Sequence, residues 1–193
     1  MSIRDFVTDY QTGFCAVIDG MDADSIEHVA TQLRSAFDAG QRIFVAGNGG
    51  SAATASHMAC DLAKTTLGKA AQLPSKRIKA IALTDNVPLL TAWGNDVSYA
   101  CVFAEQLRNL AEPGDVLVVI SASGNSPNVI EALRAARELG LKTAGLLGFD
   151  GGKAAPLCDS TVIVDSAHYG YIEDAHSVIG HLVTDYLKQA VQA

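Results

Sequence analysis

Residues 45–52 read VAGNGGSA and residues 119–126 read VISASGNS, and both stretches are built in the same way. Each one follows a short apolar run and precedes a segment whose apolar residues have helical spacing. In open parallel sheets, loops between a strand and the next helix lie at the carboxyl ends of the strands, where ligands bind. The two stretches therefore predict a parallel α/β fold in which both loops contribute to a ligand site.

The rest of the chain continues this alternation of strands and helices. We predict strands at residues 42–47, 78–83, 115–121, 142–148 and 160–165, and helices at residues 51–66, 97–111, 128–139 and 171–191. Short, continuous, apolar strands between helices are typical of a parallel sheet covered on both faces. Since two more helical patterns precede the first strand, we predict an αβα sandwich with an N-terminal helical extension.

Length and composition limit the class of protein. No linker interrupts the 193 residues, so we predict one domain over 1–193, made of a helical pair (1–40) and a core (41–193). The net charge is −7 and no basic cluster occurs, which argues against nucleic-acid binding. The apolar run at 116–120 is far shorter than the ~20 residues that cross a bilayer, so no membrane span is expected.

The N-terminal residues and the cysteines bear on the compartment. The first ten residues carry acids where a signal peptide needs basic residues, so we expect a cytoplasmic protein. The four cysteines are scattered without a CxxC pair, and we expect small buried thiols rather than disulfides. An alanine-rich helix, the N-terminal helical pair and a low charge fraction suggest surfaces that pack against other copies of the chain.

The two loops have the composition of a phosphate site. Glycine lets the backbone approach a ligand closely, and the free N–H groups of a helix N-terminus favour an anion. Serine hydroxyls can donate to phosphate oxygens, and Ser51, Ser121, Ser123 and Ser126 could converge on one phosphate. The alternative is that both loops are ordinary turns and helix caps, with Ser126 as the N-cap before Pro127.

A nucleotide site is the rival interpretation. Residues 47–52 match the loose dinucleotide fingerprint G-x-G-x-x-G/A, which requires an acidic residue roughly 20 positions further on. Residues 67–72 read LGKAAQ, and Asp85 comes much too late. No GK[ST] sequence occurs anywhere, so we predict a phosphomonoester ligand and no nucleotide cofactor.

Motifs along nearly the whole chain resemble the sugar isomerase (SIS) domain family and, within it, the phosphoheptose isomerases. They are GNGGSAATASHMACDL, ALTDN, WGNDVSYACVFAEQL, EPGDVL, ISASGNSPNVIEAL, GFDGGKAA and EDAHSVIGHL. The resemblance implies a flavodoxin-like fold with five parallel strands, and a homotetramer with active sites between subunits. It also implies that the serine loops hold a sugar phosphate and that sedoheptulose 7-phosphate is converted to glycero-manno-heptose 7-phosphate.

Isomerisation of a ketose to an aldose through an enediol needs a base for the C1–C2 proton and an acid for the oxygens. His57 and Asp61 are four residues apart and share a helix face, and Glu173 and His181, eight apart, roughly do so. By resemblance, Asp61 and His181 are the acid/base pair, and zinc is held by His57, Asp61, Glu173 and His181. The substrate-binding residues that the resemblance and the loop argument assign are Asn48, Gly49, Gly50, Ser51, Asp96, Ser121, Ala122, Ser123, Ser126 and Glu173.

Four polar positions depart from the pattern of the family. Asp61 stands where the family has glutamate and Glu173 where it has glutamine, while Thr65 replaces an arginine and Gly170 an aspartate. Because both histidines and two carboxylates remain, we expect a functioning but altered isomerase. Two alternatives stay open: a non-catalytic SIS module that binds a sugar phosphate or a protein partner in regulation, and a nicotinamide-linked enzyme.

Overall fold

The computed structural model describes residues 1–68 and 76–192. Its helices are α1 (Ile3–Asp19), α2 (Ala23–Ala39), α3 (Gly50–Lys64), α4 (Val87–Asp96), α5 (Ala104–Leu110), α6 (Pro127–Glu138) and α7 (Tyr169–Gln192). Its strands are β1 (Arg42–Gly47), β2 (Lys79–Ala82), β3 (Val116–Ser121), β4 (Lys142–Gly148) and β5 (Ser160–Val164). Short 3₁₀ turns occupy Thr65–Leu67, Tyr99–Cys101 and Ala155–Leu157. Among the described helices, none is long and apolar enough to cross a membrane.

The five strands form one parallel sheet in the order β2-β1-β3-β4-β5. This is the flavodoxin-like order, and its direction reverses between β1 and β3. Gly47 pairs with Ile120 at the ends of these two strands. The two serine- and glycine-containing loops therefore leave the sheet side by side at the switch point, where ligands bind in such folds.

The core forms a layer on each face of the sheet because successive strand side chains point to opposite faces. In β1, Ile43 and Val45 pack into the layer that includes α2, α3 and α7, whereas Phe44 packs into the layer with α5 and α6. All three side chains are fully buried. The predicted αβα sandwich is confirmed.

The two N-terminal helices differ in how they pack. Helix α2 buries a stripe that includes Val29 and Leu33, and it ends at Gly40, whose φ of 71° is the left-handed conformation that glycine adopts most readily. Helix α1 begins with a capping box between Ser2 and Asp5 but buries no residue. Its main neighbour in the chain is α7.

Three details of the sequence prediction need correction. Helix α4 was not predicted: Asn86 caps it by accepting from the Leu89 N–H. The single helix predicted for 97–111 is instead a 3₁₀ turn, capped by Ser98, followed by the short helix α5. The four cysteines are free, as expected, but the expected burial is wrong: Cys15 and Cys60 are exposed, and Cys101 and Cys158 are only half-buried. Of the stretch 67–72, only Leu67 and Gly68 lie within the described residues.

Candidate active site

The first loop connects β1 to α3, and its backbone is closely packed at Gly47. A Cβ added at Gly47 would lie 2.6 Å from the Ser51 carbonyl oxygen, so only glycine fits there. Gly49, at φ +56°, is the N-cap of α3 and provides no side-chain capping bond. The loop thus turns sharply and leaves the start of α3, including buried Ser51, facing the carboxyl end of the sheet.

The second loop keeps its serine hydroxyls available as donors. Ser121 Oγ accepts from the Gly124 N–H at 3.1 Å, and Ser123 Oγ accepts from the Asn125 N–H at 3.3 Å. A hydroxyl that accepts one hydrogen bond still has its own hydrogen to donate. Ser126 is the N-cap of α6 but makes no side-chain capping bond.

The two loops enclose a cavity of about 130 Å³ together with the start of α7. We call this cavity the loop pocket, and it is lined by Asn48, Ser51, Ile120, Ser121, Ala122, Ser123, Ser126, Tyr169 and Glu173. The structure therefore brings together all four predicted serines, along with Asn48, Ala122 and Glu173. Tyr169 was not predicted, although it precedes Glu173 by four residues and so shares its helix face.

A buried amide pair orients Asn48 within the loop pocket. The Asn48 Nδ2 donates to Asn128 Oδ1 at 2.8 Å, and the Asn128 Nδ2 donates back to Asn48 Oδ1 at 2.8 Å. Tyr99 Oη also donates to Asn48 Oδ1, at 3.1 Å. Asn128 is 2% exposed. Sequence reasoning missed both partners, because they are 80 and 51 residues away from Asn48.

Glu173 places a carboxylate against the first turn of α3. A Cβ added at Gly50 would be 3.0 Å from Glu173 Oε2, so these two groups are in close contact. An anion is favoured at this position by the dipole of α3. Among the described residues that line the loop pocket, none is a lysine or arginine, and Glu173 is the charged side chain.

A second group of side chains lies between α3 and α7. His57 Nε2 is 2.8 Å from His181 Nε2 and 3.2 Å from Asp61 Oδ2, and His181 Nε2 is 3.7 Å from the same oxygen. The two histidine side chains are more than half exposed, whereas the Asp61 side chain is 15% exposed. We call these three residues the histidine–aspartate cluster.

The spacing of the cluster fits a tetrahedral metal ion. Zinc with bonds of about 2.0–2.1 Å to nitrogen and oxygen holds neighbouring ligand atoms about 3.3–3.4 Å apart. The three distances in the cluster, 2.8, 3.2 and 3.7 Å, bracket this value. Two imidazoles and one carboxylate are also a normal zinc ligand set.

Not every predicted residue joins these two groups. Glu173, predicted as a fourth zinc ligand, lies outside the cluster and lines the loop pocket instead. Asp96 ends α4, where its Oδ1 accepts from Asn95 Nδ2, and it does not line the loop pocket. Gly49 and Gly50 form the backbone at the start of α3.

Comparisons with known proteins agree with this geometry. The SIS domain family model matches residues 9–148. The phosphoheptose isomerase of Pelobacter propionicus is 44% identical over 86% of this chain and 85% of its own length. That of Rhodospirillum rubrum is 40% identical over 92% of both chains.

Solved structures give the same result. A phosphoheptose isomerase from Neisseria gonorrhoeae superposes with a TM-score of 0.88 at 31% identity, covering 97% of this chain and all of the other. One from Francisella tularensis has a TM-score of 0.88 at 28% identity, covering 98% of this chain and all of the other. The chain belongs to the SIS domain family. Its similarity to these relatives over most of both lengths indicates that it is an isomerase, and disfavours the non-catalytic alternative.

Proposed function

We propose that this isomerase interconverts sedoheptulose 7-phosphate and glycero-manno-heptose 7-phosphate. The name of its relatives, phosphoheptose isomerase, supports this substrate. The loop pocket would hold the 7-phosphate and the histidine–aspartate cluster would act at C1 and C2.

The arrangement of the two groups along α7 carries the proposal. Glu173 lines the loop pocket and His181 belongs to the cluster, so one helix connects the two. Eight residues of α-helix span about 12 Å. An open seven-carbon chain with a terminal phosphate spans roughly 9–10 Å, at about 1.3 Å of advance per bond. With a hydrogen-bond contact of about 3 Å at each end, a heptose phosphate is long enough to bridge this separation.

The reaction moves one proton from C1 to C2 and one from the C1 oxygen to the C2 oxygen, so the carbonyl group shifts from C2 to C1. A base removes a proton from C1 of the ketose, and the C2 carbonyl oxygen takes up a proton to give the enediol. Return of a proton to C2 and loss of the proton on the C1 hydroxyl then yield the aldose. We assign the carbon-bound proton to Asp61 and the oxygen-bound protons to His181. Asp61 Oδ2 and His181 Nε2 lie 3.7 Å apart, which is close enough for both to act on adjacent carbons.

We also propose that His57, Asp61 and His181 hold a zinc ion. Bound zinc would polarise the carbonyl and hydroxyl oxygens of the substrate. The proposed acid/base role and the proposed metal role use the same atoms, Asp61 Oδ2 and His181 Nε2. Measuring isomerase activity at increasing zinc occupancy therefore distinguishes the two roles. Chelation should lower activity and zinc should restore it if the ion takes part.

We further propose that the chain forms a homotetramer in the cytoplasm. Helix α1 packs Phe14 and Val17 only partly against the core, and its Ile3 and Phe6 are 77% and 56% exposed. An apolar helix face of this kind is suited to packing against other subunits. The exposed thiols of Cys15 and Cys60 suit a compartment that keeps thiols reduced. Light scattering at micromolar concentration tests the tetramer, and a monomer would contradict it.

The decisive experiment follows sedoheptulose 7-phosphate by NMR in deuterium oxide. Enediol chemistry predicts formation of the aldose and incorporation of solvent deuterium at C2. The Asp61→Asn variant should lose both signals while still binding inorganic phosphate, since Asp61 is not part of the loop pocket. If the wild-type protein binds the sugar phosphate but gives neither turnover nor exchange with or without zinc, the proposed function is wrong.

A further inference from the structure

Asp61 is held in place by a residue outside the histidine–aspartate cluster. Thr65 Oγ1 donates to Asp61 Oδ1 at 2.8 Å. The backbone N–H of Thr65, the C-cap residue of α3, also donates to the Asp61 carbonyl oxygen. Thr65 thus bonds both the side chain and the main chain of Asp61.

This contact determines which carboxylate oxygen faces the histidines. With Oδ1 engaged by the Thr65 hydroxyl, Oδ2 is the oxygen directed at the Nε2 atoms of His57 and His181. An aspartate side chain can rotate about two bonds, and a hydrogen bond to one oxygen restricts both rotations. Asp61 therefore presents one oxygen in a fixed orientation.

Thr65 is itself fixed by the packing of the turn that it begins. Thr66 and Leu67, the next residues of the 3₁₀ turn, are buried, and Thr66 Oγ1 donates to the Leu62 carbonyl at 2.7 Å. Gln192 Nε2, from the end of α7, donates to the Thr66 carbonyl at 3.1 Å. Because α7 also carries His181, the same pair of elements sets the positions of Asp61 and His181.

We propose that Thr65 is a positioning residue that directs Asp61 Oδ2 toward a divalent metal ion held with His57 and His181. Groups that hydrogen-bond a ligand typically change metal affinity or activity by about 10–100-fold when they are removed. The inference rests on the metal site of the proposed function. It goes beyond that site by giving a role to a residue that touches neither the ion nor the substrate.

The test is titration of metal-free protein with zinc, and with cobalt(II) as a spectroscopic probe. Thr65→Val keeps the branched shape but removes the hydroxyl, so zinc affinity should fall about tenfold or more and the visible spectrum of bound cobalt should change. Thr65→Ser keeps the hydroxyl and should restore affinity to within about threefold of the wild type. Thr91→Val is the matched control, because the Thr91 hydroxyl bonds only backbone carbonyl oxygens of its own helix.

Isomerase kinetics separate this role from a general loss of structure. Thr65→Val should lower kcat and leave the KM for the sugar phosphate nearly unchanged, because the loop pocket lies elsewhere. Thermal unfolding of each variant shows whether the fold is intact. Unchanged zinc affinity in Thr65→Val, equal losses in Thr65→Val and Thr65→Ser, or a wild-type protein that binds no divalent ion would each overturn the inference. Absence of heptose phosphate turnover in a wild-type protein that binds zinc would overturn only the proposed substrate, since metal affinity is measured independently.

Discussion

Replacing Glu173 by glutamine should strengthen phosphate binding. The Glu173 carboxylate lines the loop pocket beside four serines, and within the described part of the chain no lysine or arginine lines the pocket to offset its charge. Glutamine has nearly the same shape, so the substitution removes a negative charge and leaves the cavity unchanged. A bound phosphate would then no longer be repelled by a neighbouring carboxylate.

The size of the effect follows from the size of the cavity. A compact space of about 130 Å³ is about 6 Å across, so a phosphate inside it lies within roughly that distance of the carboxylate. At 6 Å, a single negative charge repels a phosphate dianion by about 1.4 kcal/mol even in a water-like dielectric. Since about 1.4 kcal/mol corresponds to a factor of ten, the Kd should fall at least about tenfold.

Calorimetric titration of chelator-treated protein with inorganic phosphate measures this change. Glu27→Gln is the matched control, because it alters the net charge equally at an exposed position on α2. The advantage of Glu173→Gln should shrink at about 1 M salt, where the Debye length is only about 3 Å. If Glu173 is instead the fourth metal ligand, the substitution weakens zinc binding and leaves the phosphate Kd unchanged. That result would refute the electrostatic reasoning.

Three further predictions address the loop pocket and the core. Ser123→Ala should weaken phosphate binding by about 1.5–3 kcal/mol, the usual contribution of a hydrogen bond to a charged group, and titration with phosphate measures it. Gly47→Ala should lower the free energy of unfolding by about 1–3 kcal/mol or more, because the new Cβ would lie 2.6 Å from the Ser51 carbonyl oxygen; urea unfolding equal to that of the wild type would contradict it. Burial lowers the pKa of His176, which is 1% exposed and bonded to the Leu147 carbonyl oxygen. The unfolded chain therefore takes up this proton first as the pH falls below about 6.5, so the contribution of His176 to stability is complete above that pH and is lost as the pH falls through the lowered pKa. His176→Gln should remove this part of the pH dependence of urea unfolding, whereas His28→Gln, at an exposed position, should retain it.

The fold was predictable because the five strands are apolar and separated by clear helical patterns. The strand at 116–121 is entirely buried, and burial on both faces is what its continuous apolar run indicates. Helix α4 was missed because its sequence, VPLLTAWGND, is only ten residues long and buries none of them fully. It forms around an N-cap and the partial packing of Leu90 and Trp93, a single i, i+3 pair that is too short a pattern to indicate a helix.

The site was predictable only where its residues belong to a loop motif or share a helix face. The four serines come together because β1 and β3 are neighbours in the sheet, and the pairing of His57 with Asp61 follows from helical spacing. The amide pair of Asn48 and Asn128 depends on how two distant segments pack, and no local pattern encodes that. The location of Glu173 depends in the same way on how α7 packs against α3.

The structure shows what surrounds two of the positions that depart from the family pattern, Thr65 and Gly170. Asp61 is paired with Thr65, which supplies a hydrogen bond where the family has an arginine. At Gly170 an added Cβ would lie 3.1 Å from both Tyr10 Oη and the His168 ring, so the family's aspartate would crowd the contact between α1 and α7. Tyr10 instead donates to Asp174, one helical turn further along α7. The Tyr10 hydroxyl therefore lies close to Gly170 while it bonds a carboxylate four residues further along α7. Thr65 keeps a hydrogen-bond donor for the partly buried Asp61 carboxylate, as expected of a site whose geometry is maintained, because a buried polar group left without a partner costs free energy.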